Sequence, residues 1–219
     1  MDIQIQVNDQ PVSAFLALPA SGTGPGVLVL HAWWGLKPFI KQLCERLAGQ
    51  GFVALAPDLY HGPTANTIDE AQALVDSADW DKVGATVMAA KDFLLAHPAN
   101  MAEKIGVMGF SMGAYWTLVA ATRAPQQFAA AVVFYGIGEG DWAKMQAKFL
   151  GHFSDVDEWE PLDGIETMQK DMLAAGVDAT FDFYPGLAHW FFESDRPEYN
   201  PAAADLAWQR TVDFFKQNL

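Results

Sequence analysis

The sequence predicts an α/β fold built on a mainly parallel, twisted sheet with helices on both faces. Three observations predict it. Near-continuous apolar runs at residues 26–31, 52–57, 105–109 and 129–134 have the character of strands buried on both sides. They alternate with stretches of helical periodicity, as a parallel sheet with crossover helices requires. One of these transitions, Gly109-Phe110-Ser111-Met112-Gly113, reads as strand, sharp turn, helix with G-x-S-x-G at the turn. With 219 residues, 51% of them hydrophobic, the chain is long enough for one sizeable core, and a single domain over residues 1–219 is expected.

In chain order, Ile3-Gln4-Ile5-Gln6-Val7 alternates apolar and polar, as a strand with one wet face does. Asn8-Asp9-Gln10 turns the chain, and residues 12–18 return, which predicts an N-terminal antiparallel hairpin. Residues 21–26 are a loop by composition, and the strand at 26–31 ends in Ala32-Trp33-Trp34-Gly35. A helix over 39–48 is stopped by Gly49 and Gly51. The strand at 52–57 runs into Asp58-Leu59-Tyr60-His61, and residues 68–96 read as one or two helices with a break near 77–80. After the Ser111 turn and its helix come strands at 129–134, 147–151 and 180–184. A helix over 164–175 lies between the last two, and an amphipathic helix from Pro201 closes the chain.

Composition excludes several partners. A formal net charge of −14 repels nucleic-acid phosphates and anionic membranes, so neither is expected to bind. Cys44 is the single cysteine, so no intrachain disulfide forms, and its helical surroundings place it in the core. Met1-Asp2-Ile3-Gln4 lacks the basic and apolar regions of a signal peptide, and a cytoplasmic protein, monomer or homodimer, is expected. No His/Cys/Asp cluster has metal spacing and no glycine-rich phosphate loop is present, so neither metal nor cofactor is expected.

The chemistry starts at Ser111. A serine hydroxyl reacts only when lifted clear of the sheet, and the turn that lifts it strains the serine and brings strand and helix close. Gly109 and Gly113 remove the side chains that would clash. The serine needs a base and the base an orienting acid, which on an α/β-hydrolase sheet follow in the order Ser, Asp or Glu, His. His189, behind a Pro-Gly turn after the last strand, is the better base; His152 is the other histidine after Ser111. Asp155 and Asp157 share one loop, and spacing does not choose between them. Backbone N–H groups of Met112 and Trp33 are the expected oxyanion donors. Trp34, Tyr60, Phe110, Tyr135 and Trp190 are the candidate pocket residues.

The chain resembles the dienelactone hydrolase family over nearly its whole length. The matching stretches are Trp33-Trp34-Gly35, Ala56-Pro57-Asp58-Leu59-Tyr60, the elbow from Gly106 to Gly113, His152-Phe153 with Asp157, and Tyr184-Pro185-Gly186-Leu187-Ala188-His189. The tail from Arg196 to Phe215 also fits. The resemblance implies an α/β-hydrolase fold and selects Asp157 as the acid. The best-known members carry cysteine as nucleophile, a glutamate that helps ionise it and two arginines that hold a substrate carboxylate. The corresponding positions here are Ser111, Ala32, Gly62 and Glu193. A serine activated by its histidine needs no second carboxylate. The expectation is a serine hydrolase that cleaves a small, neutral ester or lactone through an acyl-enzyme. The alternatives are a catalytically silent small-ligand-binding protein on the same fold, and an acyltransferase.

Overall fold

The computed structural model describes residues 1–219 and forms two compact units, Met1–Ile105 and Gly106–Leu219. In the first unit, β1 (Asp2–Val7) and β2 (Gln10–Ala17) form the expected antiparallel hairpin. Asn8 and Asp9 turn it with φ of 48° and 62°, the two positive values that a right-twisted two-residue hairpin needs. β3 (Gly26–Leu30) pairs in parallel with β4 (Val53–Pro57), and β2 joins β4 antiparallel, giving the order β1-β2-β4-β3. Every residue of β3 and β4 is buried, which is why these strands read as continuous apolar runs.

α1 (Pro38–Gly49) starts with Pro at its first turn and buries Leu43, Cys44 and Leu47. Burial pushes the Cys44 thiol up, away from a reactive thiolate. The predicted break in the long helical stretch lies where expected. α2 (Ile68–Ser77) opens with a capping box between Thr67 and Glu70, and α3 (Trp80–Ala96) restarts behind an Asp79 cap.

The second unit opens with β5 (Ile105–Phe110), followed by α4 (Met112–Arg123), β6 (Phe128–Phe134), β7 (Lys148–Ser154), α5 (Leu162–Ala174), β8 (Ala179–Tyr184) and α6 (Pro201–Asn218). The strand order is β5-β6-β7-β8, with β6, β7 and β8 parallel. A Cβ at Gly106 would meet the Phe215 ring of α6, and one at Gly109 would meet Gly113 and Thr117 of α4. Positions 106 and 109 are an odd number of residues apart, so they face opposite ways along the strand. Helices therefore cover both faces of β5. No helix of the chain is long and apolar enough to cross a membrane.

His152, the lesser candidate for the base, lies inside β7 and is fully buried. Its Nδ1 is 2.9 Å from the Tyr184 hydroxyl and its Nε2 3.0 Å from Thr211 Oγ1. Arg210 also donates to the Tyr184 oxygen, so the phenol proton serves His152 Nδ1. Burial, helped by the Arg210 charge, pulls the imidazole down to about 3. It is a neutral structural pin between β7, β8 and α6.

Two predictions follow from this packing. Between pH ~6.5, the ordinary histidine value, and about 3, the unfolded chain protonates His152 and the folded chain does not. Folded-state stability therefore falls with acid by up to about 1.4 kcal/mol per pH unit in that window. Urea midpoints against pH should show a shallower slope for His152→Gln. Gly109→Ala should destabilise the fold by about 3 kcal/mol, because its methyl would overlap the Gly113 carbonyl. The check is a thermal melt compared with an alanine substitution at the exposed Gly49.

Candidate active site

Ser111 sits between β5 and α4 with φ 51° and ψ −114°, a backbone conformation few side chains adopt. Its N–H donates to Phe134 O of β6 at 3.0 Å, and its carbonyl accepts from Ala114 N at 2.8 Å, so the strained turn is held from both ends. Ser111 is the N-cap of α4, yet its side chain makes no cap hydrogen bond. The hydroxyl is instead 2.9 Å from His189 Nε2.

His189 Nδ1 lies 2.7 Å from Asp157 Oδ2. The other carboxylate oxygen, Oδ1, accepts the main-chain N–H groups of Trp159 at 2.8 Å and Glu160 at 3.0 Å. Asp157 is thus a nearly inaccessible carboxylate, its side chain 1% exposed, with both oxygens hydrogen-bonded. With Nδ1–H donating to the carboxylate, Nε2 is left to accept the serine proton.

The two loops that carry acid and base are stitched together. Asp155 Oδ1 accepts the Gly186 N–H at 2.7 Å, and Ser154 Oγ donates to Leu187 O. Gly186 makes the turn with φ 72°. The structure thereby separates the two aspartates: Asp157 reaches His189, and Asp155 holds the turn in front of it. Downstream of His189, Phe192 packs on Phe134 at 4.5 Å and Phe110 at 5.6 Å, while Phe191 packs on Tyr184 at 4.8 Å. The histidine is anchored in the core on its C-terminal side.

Phe110 and Tyr135, both expected in the pocket, expose no surface. Tyr135 has φ 38°, packs at a tilt 4.9 Å from the His189 ring, and donates its hydroxyl to Glu193 Oε1 at 2.9 Å. Burial and the Glu193 charge push its phenol far up, so it stays a donor. Trp190 is also buried, at 4% exposure, edge-on to His189 at 5.3 Å. The aromatic that does reach the surface is Trp159, which the sequence reading passed over. It is 43% exposed, 6.4 Å from His189 and 5.5 Å from Trp190. A tryptophan in an acidic turn two residues after Asp157 was the available signal. Met112, the first residue of α4, has its N–H ahead of the intrahelical ladder.

Trp33, Trp34 and Tyr60 belong to the first unit. Trp33 and Trp34 are buried edge-to-face at 5.3 Å, and Tyr60 packs 5.6 Å from His31. His31 accepts the Leu59 N–H at Nε2 and meets Ala32 O at Nδ1, so one buried imidazole ties the loops after β3 and β4.

Near the triad, Glu160 receives a hydrogen bond from Ile137 N–H. Burial, with the Asp157 charge, nonetheless holds its carboxyl up at about 7. No group of three or more His, Cys, Asp or Glu side chains is arranged to hold a metal ion.

Comparison with known proteins gives a consistent answer. The profile of the dienelactone hydrolase family matches residues 12–219. A protein called usf from Aquifex pyrophilus is 35% identical over 99% of this chain and 98% of its own. A protein of Aquifex aeolicus, provisionally named carboxymethylenebutenolidase, is 31% identical over 99% and 98% respectively. Among solved structures, a provisionally named dienelactone hydrolase from Klebsiella pneumoniae superposes with a TM-score of 0.89 at 28% identity, covering 99% of this chain and 98% of its own. The α/β-hydrolase fold expected from the sequence is therefore present, and the chain belongs to the dienelactone hydrolase family.

Proposed function

We propose that this protein is a serine hydrolase that cleaves a small, neutral ester or lactone through an acyl-enzyme. The observation that carries the reading is the relay of 2.9 Å from Ser111 Oγ to His189 Nε2 and 2.7 Å from His189 Nδ1 to Asp157 Oδ2. Ser111 Oγ attacks the carbonyl carbon as His189 Nε2 takes its proton, and Asp157 stabilises the imidazolium that forms. The carbonyl oxygen gains negative charge and is held by the Met112 N–H at the positive end of α4. The imidazolium then protonates the departing alkoxide, and the carbon–oxygen bond breaks. Water repeats the sequence on the acyl-serine and regenerates the enzyme.

A neutral substrate is favoured by what surrounds the base. Where the resemblance leads to an arginine, Glu193 lies buried on Tyr135, and Asp157 and Glu160 add further carboxyl groups. A substrate carboxylate would meet repulsion there. Relatives named as carboxymethylenebutenolidase and lactonase support lactones as one substrate type. The unbroken family match over residues 12–219 supports reading the chain as one hydrolase domain.

Ser111→Ala should lower 4-nitrophenyl acetate turnover by roughly 10⁴-fold or more while circular dichroism stays native. A fluorophosphonate should label the wild type at Ser111 and leave the variant unlabelled. Unlabelled wild-type protein would favour a silent binding protein instead. Tyr135→Phe removes the donor to a buried carboxylate and loosens the ring against His189. It should lower stability by about 1–3 kcal/mol. It should also lower kcat by about tenfold with KM little changed, measured by steady-state kinetics.

A further inference from the structure

We infer that the Trp159 indole is the surface that recognises the alcohol portion of the substrate, and that the preferred esters carry an apolar or aromatic alcohol. The inference rests on the serine-hydrolase reading above and adds a direction to it. In that reaction the proton taken from Ser111 Oγ passes through His189 Nε2 to the leaving oxygen, so the alcohol departs on the histidine side of the serine. Three aromatic rings adjoin His189: Tyr135 at 4.9 Å, Trp190 at 5.3 Å and Trp159 at 6.4 Å. Tyr135 exposes no surface and Trp190 4%, whereas Trp159 exposes 43%. Of the three, Trp159 is the ring a departing alcohol would meet.

Trp159 is also held in place. Its main-chain N–H donates to Asp157 Oδ1, so the carboxylate that orients the base fixes the position of the indole. Its ring lies 5.5 Å from Trp190, which carries the Arg196 guanidinium 5.1 Å away. Val156 in the same loop and Leu162 at the start of α5, at 56% and 38% exposure, extend its apolar character. The loop's acidic side chains, Asp155, Glu158 and Glu160, disfavour an anionic alcohol, and the indole face favours a flat neutral one.

The chemistry makes the role specific to one half of the cycle. Acylation forms the Ser111 Oγ–carbon bond and breaks the carbon–alkoxide bond, and the alcohol leaves with the proton. Deacylation then proceeds with no alcohol bound. Trp159 should therefore affect discrimination between alcohols and leave discrimination between acyl groups alone.

The test compares kcat/KM for phenyl acetate, methyl acetate and phenyl butyrate in wild type, Trp159→Ala and Trp159→Phe. The phenyl-to-methyl acetate ratio should fall about 3- to 10-fold in Trp159→Ala and stay within about twofold in Trp159→Phe. The phenyl butyrate-to-acetate ratio should not move. An unchanged phenyl-to-methyl ratio in Trp159→Ala, or an equal fall in the butyrate-to-acetate ratio, overturns the inference. Calorimetric binding of phenol to Ser111→Ala, with and without Trp159→Ala, separates this idea from the reaction itself. Trp159-dependent phenol binding, together with a wild type that turns over no ester, would sink the hydrolase reading and keep the recognition surface. Phenol binding indifferent to Trp159 would sink the surface.

Discussion

The site depends on one buried carboxylate having all its partners. Asp157 is almost inaccessible, and an ionised carboxylate there is tolerated only if both oxygens are hydrogen-bonded. Trp159 and Glu160 main-chain N–H groups satisfy Oδ1, and His189 satisfies Oδ2. Each bond has a second consequence. The main-chain bonds fold residues 157–160 into a turn that presents Trp159, and the histidine bond fixes the tautomer that leaves Nε2 facing Ser111. Removing the carboxylate would free the imidazole and unwind the turn together.

A second constraint is backbone strain at the ends of adjacent strands. Ser111 follows β5 and Tyr135 follows β6, and both have positive φ, 51° and 38°. Such residues persist when their surroundings over-determine them. Here the surroundings are the Ser111 N–H bond to Phe134 O and the Tyr135 N–H bond to His152 O, at 3.0 Å and 2.8 Å. Gly136 completes the arrangement, since a Cβ there would collide with Ala114 and the Ser111 carbonyl. The strain turns the serine hydroxyl toward His189 and sets the Tyr135 ring against the same imidazole, so two neighbouring strand ends act on one base.

Much of this was legible in the chain. Apolar runs gave the strands because buried parallel strands need apolar residues on both faces. Pro201 marked the start of the closing helix because its fixed φ suits a first helical turn. The elbow directed attention to His189 and to the Asp155–Asp157 loop, and the structure brings Ser111, His189 and Asp157 within hydrogen-bond reach. What spacing could not separate were Asp155 and Asp157, since two turn-forming aspartates in one loop look alike until each meets a different partner across the sheet end. Nor could it tell a pocket wall from its backing. Phe110, Tyr135 and Trp190 have the right composition for a lining, but Phe110 is packed against Phe134 and Phe192, Tyr135 against Phe191, and Trp190 against Trp159 and His189. Trp159 went unseen because its neighbours in sequence are turn residues and its contacts are thirty positions away.

The distribution of charge around the base has a mechanistic corollary. Asp157 is hydrogen-bonded to His189, and burial, with the nearby Asp157 carboxylate, holds the Glu160 carboxyl up at about 7. In the proposed reaction, negative potential would stabilise the imidazolium formed when His189 takes the Ser111 proton. The same potential opposes an oxyanion on the carbonyl. Formal cations cannot offset that locally without cancelling the help given to the imidazolium. Fixed backbone dipoles can, because they act over a short range and in one direction. The turn places Ser111 at the start of α4, so in the proposed reaction the helix's positive end would lie at the oxygen that becomes negative. On the proposed mechanism, carboxylates behind His189 and N–H groups in front of Ser111 would divide the two charges of the transition state between them. Such a division would suit the neutral ester proposed above, which enters with no charge of its own to disturb either side.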